Sequence, residues 1–268
     1  MPVQVPLFQV DAFTTQAFRG NPAAVCPMDA WLPDDVLQAI AAENNLSETA
    51  FVRPRTGSDD YDLRWFTPAF EVDLCGHATL GTAFVLMTEL RPGLRRVAFH
   101  TRSGVLVVTR EGEALVMDLP ANPAEPIAAP PGLAEALGAA PSAVVRARDL
   151  VAVFDDADAV RRLRPDIARI AALDTYAVAV TAPGTGADSD VDFVSRFFAP
   201  RAGIPEDPVT GSAHCTLVPY WAARLGRPRV TARQVSARTG ELIGTVRGAR
   251  VDLAGHAVLT IKGTLFVP

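Results

Sequence analysis

The sequence predicts an α+β protein built as two similar lobes with mostly antiparallel sheet. Three observations carry that prediction. The chain has 268 residues, enough for one large domain or two moderate ones. Short strand-like runs bounded by glycine and proline alternate with helical patterns in both halves. The two halves also resemble each other, and self-similarity at a fixed spacing reports architecture before any single element does.

The repeat can be followed element by element. Pro33-Asp34-Asp35 opens a helical stretch through Ala42, and Pro165-Asp166 opens another through Ala172, 132 residues later. Proline in the first turn with aspartate behind it suits the free N–H groups and positive end of a helix. Glu48–Val52 is set against Asp174–Val178, each followed by a turn-rich segment. Arg64-Trp65-Phe66-Thr67-Pro68 faces Arg196-Phe197-Phe198-Ala199-Pro200, again at 132, both being strand-like runs closed by proline. Cys75-Gly76-His77-Ala78 faces Thr210-Gly211-Ser212-Ala213 at 135, and Thr101–Leu106 faces Ala237–Leu242 at 136, as matched hairpins. Five pairs in one order point to an ancestral duplication. The predicted division is 1–120 and 121–268, with a proline-dense linker between Pro120 and Pro131. The last strand is free to cross to the first lobe.

Charge and motif content exclude several functions. Twenty-five basic and 30 acidic side chains leave a net charge of −5, which is not the footprint of a nucleic-acid binder. Arg161-Arg162-Leu163-Arg164 reads as a solvated helix face. The N-terminal stretch has no basic start followed by an apolar block, and no apolar run reaches the roughly 18 residues of a membrane span, so neither a secretory signal nor a membrane association is expected. Three cysteines, Cys26, Cys75 and Cys215, do not form a disulfide framework and fit reduced, cytoplasmic thiols. Without CxxC or HExxH spacing, no metal is expected.

The chemical signal lies in the two glycine turns. Leu80, Ala83, Phe84, Met87 and Leu90 repeat at helical spacing beyond Gly76 until Pro92-Gly93. A second helix follows Gly211 to about Leu225, before Gly226, with Pro219 predicted to kink it. Each turn presents backbone N–H groups at a helix start, and such an end attracts anions. Either turn alone reads equally as a plain helix start. Their pairing points to two helix ends facing one cleft that holds a small carboxylate-bearing substrate.

At this point four ordered blocks resemble a known family. Phe18–Val25, Asn45–Phe51, Cys75–Thr79 and Glu206–Ala213 are similar to the phenazine-biosynthesis PhzF-like family, over essentially the whole chain. The resemblance implies the diaminopimelate epimerase-like fold, in which each lobe is a curved sheet or barrel around a central helix. It implies a cofactor-independent isomerase, of the kind that moves a proton on a dihydro-hydroxyanthranilate, and it carries the expectation of a homodimer. It places the proton-transfer glutamate at Glu48 and matches His77, Asp207 and Ser212 to the remaining site residues. Related epimerases use two cysteines, one before each glycine turn. Here the positions hold Cys75 and Thr210, and a threonine hydroxyl is too weak an acid to replace a thiol. A two-cysteine racemase is therefore disfavoured, while an epimerase using Glu48 with Cys75, or a metabolite-binding protein without catalysis, stays open.

Each residue also has a plainer reading. Glu48 is an exposed junction residue or, between Leu46, Ala50, Phe51 and Val52, a buried carboxyl whose pKa burial pushes towards the working range. His77 orients substrate or only starts a helix. Asp207 shapes a turn before Pro208 or holds His77 or a substrate amine. Ser212 caps a helix, binds a carboxylate with the N–H groups of Gly76, His77 and Gly211, or does both. Cys75 is a second base or packing. Cys26 is read as core, Cys215 as facing a helix neighbour, and His100 and His256 receive no role.

Overall fold

The computed structural model describes residues 3–267. The chain divides into two compact units. The first runs to Asp118 and takes back the chain from Ala254 onward, and the second is Leu119–Leu253.

The first unit begins with β1 (Val3–Ala12) and β2 (Asn21–Pro27), followed by α1 (Asp34–Asn44). Then come β3 (Glu48–Pro54), β4 (Tyr61–Phe66), β5 (Glu71–Val72) and α2 (Gly76–Val85). β6 (Arg96–Thr101), β7 (Gly104–Glu111) and β8 (Ala114–Pro120) follow. The C-terminal strand, Ala257–Val267, lies antiparallel against β1, which is antiparallel to β2. β2 and β3 are parallel, β3 and β4 antiparallel, and β4 holds β5 antiparallel and β6 parallel. β6, β7 and β8 continue antiparallel.

The second unit repeats that order of strand directions. Its strands are β9 (Glu125–Ile127), β10 (Ala143–Arg146), β11 (Leu150–Val153), β12 (Val178–Pro183), β13 (Phe193–Ala199), β14 (Ile204–Asp207), β15 (Arg229–Gln234), β16 (Gly240–Arg247) and β17 (Arg250–Gly255). Its helices are α3 (Leu133–Leu137), α4 (Ala157–Arg162), α5 (Ile167–Ala172) and α6 (Gly211–Leu225). β9, β10 and β11 are antiparallel, β11 and β12 parallel, and β12 and β13 antiparallel. β13 holds β14 antiparallel and β15 parallel, and β16 returns antiparallel to β15. The order of strand directions in the first unit thus recurs in the second, within one continuous sheet.

One ion pair is repeated with the fold. Arg64 of β4 makes two bonds of 2.8 and 2.7 Å to Glu71 of β5, and Arg196 of β13 makes two of 2.8 and 3.0 Å to Glu206 of β14. Each guanidinium also lies over a ring on its own strand, Arg64 5.1 Å from Phe66 and Arg196 5.0 Å from Phe198. Paired, two-point binding of this kind is directional as well as strong. It ties down the strand that leads into each glycine turn.

Both glycine-turn helices are interior elements. Nine of the ten residues of α2 are buried. The hydroxyls of Thr79 and Thr82 bond back to the carbonyls of Cys75 and Ala78 at 2.5 and 2.7 Å, so the helix carries polar groups inside without leaving them unsatisfied. A Cβ at Gly81 of α2 would lie 3.6 Å from the Val10 side chain on β1. α2 passes into a wider turn at Leu86–Leu90 before Gly93 reverses the backbone. α6 packs Val218 against Gly244 of β16, where a Cβ would fall 2.1 Å from the valine. It contains Pro219 and ends at Gly226 in the left-handed conformation. No helix among the described residues is long and apolar enough to cross a membrane.

Several expectations change. The stretch from Pro120 to Pro131 is not bare linker, because β9 lies inside it and pairs with β10; proline's fixed φ is compatible with extended backbone. The counterpart of β3 starts at Val178, not Asp174. The Thr101 hairpin closes with Thr101 opposite Gly104, whereas Gln234 pairs with Gly240, so the second loop is longer. Arg161 is not simply solvated, since it makes two bonds, 2.7 and 2.6 Å, to the fully buried Asp188. His100 has a partner, Asp60, at 2.9 Å.

Candidate active site

In the first unit, three separate chain segments bring their chemistry together. Gly20 turns the chain into β2 with φ +64, and a Cβ there would sit 2.1 Å from the Ala12 carbonyl oxygen. Glycine is required by both constraints. That turn delivers Asn21, fully buried, as the first residue of β2. Parallel pairing then sets Glu48, the first residue of β3, opposite Ala23. Cys75 stands in extended conformation at the start of α2 without a side-chain capping bond, and His77 lies in the first turn.

The resulting cluster is tight and nearly dry. Glu48 is 8% exposed, Cys75 6% and His77 4%. Glu48 Oε2 lies 3.1 Å from His77 Nε2. On the other side of the ring, Nδ1 lies 3.4 Å from Cys75 Sγ and 3.1 Å from the Asn21 amide. Burial by itself disfavours an imidazolium. Negative charge at Cys75 and at Glu48 outweighs it and raises the His77 pKa well above its usual value. Burial and the Glu48 charge push the Cys75 thiol up to about 11. The thiol is therefore protonated near neutrality. The Asn21 amide nitrogen is the atom that faces Nδ1, and Glu48 Oε2 meets Nε2 as a close ion-pair contact.

The donor atoms of these three side chains cluster closely, with the thiol at one ring nitrogen and the carboxylate at the other. One donor atom from each of Glu48, Cys75 and His77 lies within 4.8 Å of the others. Motif spacing could not show this set, because Glu48 comes from a strand and the other two from a helix start. A separate cavity of about 560 Å³ in the same unit is lined by Met28, Trp31, Tyr61, Leu86, Leu90 and Arg91, and holds none of the predicted site residues.

In the second unit, the equivalent turn carries different chemistry. Thr210 occupies the position that Cys75 holds before α2. Its hydroxyl donates to Asp207 Oδ2 at 2.5 Å, and its N–H donates to the Gln234 side-chain oxygen at 2.9 Å. The Gln234 amide donates to the Asp207 carbonyl at 2.7 Å. Asp207 is 7% exposed, Gly211 is buried and Ser212 half-buried. Thr210 is thus a holder of the Asp207 carboxylate, a role suited to a hydroxyl that does not ionise.

Residue typing alone missed three participants. Asn21 sat in a quoted block but received no role. Gln234 carried no motif signal. His214 is fully buried, donates Nδ1–H to the Thr210 carbonyl at 2.7 Å, accepts from Ser195 at 3.3 Å, and stacks on Phe193. Burial lowers its pKa to about 4, so it is a neutral structural strut. Cys26 is core, as expected. Cys215 Sγ turns back to the Gly211 carbonyl at 3.7 Å, its neighbour one turn earlier in α6.

Comparison with known proteins adds the family. The pattern of the phenazine biosynthesis-like protein family, PhzC-PhzF, matches residues 10–263. An uncharacterized isomerase of Pseudomonas aeruginosa is 55% identical over 98% of this chain and 99% of its own. The crystal structure of a PhzF-family protein from Enterococcus faecalis superposes with a TM-score of 0.94 at 44% identity, covering 99% of this chain and all of that one. A hydroxyproline epimerase from Agrobacterium vitis, at 12% identity and TM-score 0.60, shares the fold over 99% of this chain and 94% of its own. Repeated strand order, a family match over residues 10–263 and close superposition agree: the chain belongs to the PhzC-PhzF phenazine biosynthesis-like family, on a fold shared with epimerases and racemases.

Proposed function

We propose that this protein is a cofactor-independent isomerase that moves a proton on a small carboxylate-bearing metabolite, with Glu48 as the acid/base. The observation that carries the reading is the buried Glu48–His77 contact at 3.1 Å beside the uncapped start of α2. Several relatives bear the name isomerase, which supports the reaction class.

In this reading Glu48 removes a proton from a carbon made acidic by adjacent unsaturation or a carbonyl, and returns it at another position. His77 holds the carboxylate in place and supplies positive charge as negative charge develops on the substrate. The N–H groups of Gly76 and His77 act as fixed donors to that charge, and donors already in place cost no reorganisation during the reaction. We extend the proposal to Asp207 and Ser212, with Gly211, as further substrate-binding groups.

The test is protein-dependent deuterium incorporation from heavy water into a metabolite extract, followed by mass spectrometry. Glu48→Gln is expected to lower incorporation by at least about a hundredfold, as for loss of a general acid/base, with its circular dichroism unchanged. Full incorporation in that variant overturns the role of Glu48. A binding protein without catalysis predicts ligand retention and no incorporation in the wild type.

The place of Cys75 in the cluster favours one second reading, an epimerase in which Glu48 removes a proton and the Cys75 thiol delivers one from another side. A thiol held at about 11 is suited to giving a proton rather than taking one. Deuterium at a stereocentre that vanishes in Cys75→Ser supports this reading, and unchanged incorporation removes it.

A further inference from the structure

We infer that Gln234 is a positioning residue for the second glycine turn: through Thr210 it fixes the orientation of the Asp207 carboxylate. The clamp stands on the geometry alone. Its effect on turnover rests additionally on the substrate-binding role proposed for Asp207.

Gln234 is the last residue of β15 and is 1% exposed. Parallel pairing with β13 sets it opposite Ser195, and antiparallel pairing with β16 sets it opposite Gly240, so its backbone is held on both sides. Its planar amide then meets three groups of the turn. The oxygen accepts the Thr210 N–H at 2.9 Å. The nitrogen donates to the Asp207 carbonyl at 2.7 Å and to the Thr210 hydroxyl oxygen at 3.3 Å. An amide side chain offers a donor and an acceptor side by side, which neither a carboxylate nor an alkyl group does. A hydroxyl has one proton. Because Thr210 Oγ1 accepts from Gln234, that proton is left for Asp207 Oδ2, 2.5 Å away. The result is a chain of donors from Gln234 through Thr210 to Asp207, and linked bonds of this kind strengthen one another inside a protein.

Two observations separate this arrangement from what the fold requires. Thr210 stands just before α6, where a threonine ordinarily accepts a helix N–H, yet its side chain makes no such bond. The cap is given up in favour of Asp207. The first unit supplies the second observation. Trp65 opposite Val72 matches Phe197 opposite Asp207, so Val72 stands where Asp207 stands. The β4–β6 register sets Asp62 opposite His100, and continuing it puts Thr101 at the place of Gln234. The Thr101 hydroxyl bonds within its own hairpin, to the Gly104 carbonyl at 2.8 Å. The same turn and helix therefore form without the clamp, and the clamp belongs to the unit that carries the carboxylate.

Hydrogen exchange followed by NMR reads the clamp without any substrate. Gln234→Leu is expected to speed exchange of the Thr210 amide about tenfold, the weight of one buried hydrogen bond, with the amides of β13 and β16 unchanged. Unchanged exchange at Thr210 overturns the clamp, and so does a loss of protection spread over the whole unit. Turnover is read from the initial rate of deuterium incorporation against dilution of the metabolite extract in heavy water. Gln234→Leu and Thr210→Val are each expected to raise the extract concentration giving half-maximal rate about tenfold, with the maximal rate changed far less, as for lost binding. The double variant is expected to be no weaker than the weaker single, because both changes cut one chain. Thr210→Ser, which restores the hydroxyl, is expected to recover most of what Thr210→Val loses. Additive losses, or a Thr210→Ser protein as weak as Thr210→Val, overturn the positioning role. Failure of the Asp207 proposal is read separately: full incorporation in Asp207→Asn overturns that role and its link to turnover, while the exchange result decides the clamp by itself.

Discussion

At the residue scale, two buried histidines do opposite things because their neighbours differ. His77 has a carboxylate 3.1 Å away and its pKa is raised, while His214 has a carbonyl, a hydroxyl and a phenyl ring, and its pKa falls to about 4. The signs of their stability contributions follow. The contribution of His77 is complete below the unfolded histidine value of about 6.5 and is lost as pH rises through its raised folded value. That of His214 is present above about 6.5 and is lost as pH falls towards 4, a change of at most about 3 kcal/mol. Urea unfolding across pH is expected to show the acid-side loss in the wild type and a flatter profile between 4 and 6.5 in His214→Gln. In His77→Gln the alkaline-side loss is the part expected to flatten. Neither environment was legible locally, since Glu48 and Asn21 beside His77, and Ser195 and Phe193 beside His214, come from distant segments.

At the element scale, the glycine turns and the ion pairs before them are the repeated unit. Arg196 and Glu206 are largely buried and pair at two points, so cutting the pair leaves a carboxylate without its partner. Arg196→Gln is expected to lose about 2 kcal/mol, more than an exposed pair contributes, measured by chemical denaturation. The packing of α6 makes a second demand. A Cβ at residue 244 would overlap Val218, so Gly244→Ala is expected to cost about 2 kcal/mol, and a second change, Val218→Ala, to return part of it. A double-mutant cycle measures that coupling. The existence of these helices was readable from glycine, proline and apolar spacing. The sequence pairing of Glu48 with Asp174 slipped because the connections before β3 and β12 differ, with α4 and α5 standing where α1 stands alone.

At the scale of the whole molecule, the chain's two ends are neighbours. β1 is bonded along its length to the C-terminal strand, from Val3 opposite Val267 to Ala12 opposite Ala257. The N–H of Phe13 also bonds to the carbonyl of His256 at 2.7 Å. A chain stopped after Gly255 would leave β1 with an open edge, and such an edge pairs with other molecules. Truncated protein is expected to run as aggregate on size exclusion while the full chain does not. Equivalent strand order on a duplicated plan also leaves room for divergence. The position before the first glycine turn holds a thiol beside Glu48 and His77, and the position before the second holds a hydroxyl bonded to Asp207.

By itself the sequence determined the fold class, the twofold plan, the two glycine-turn helices and the identities of the candidate site residues. Local patterns are enough for that, because helix starts, strand runs and turns are written in neighbouring residues. Only the tertiary structure decided that Glu48, Cys75 and His77 converge, that Asn21 backs the imidazole, that Thr210 holds Asp207, and that Arg161 and His100 have partners. Convergence depends on strand pairing between segments tens of residues apart. Charge states depend on how much water that convergence excludes, and no local spacing encodes either.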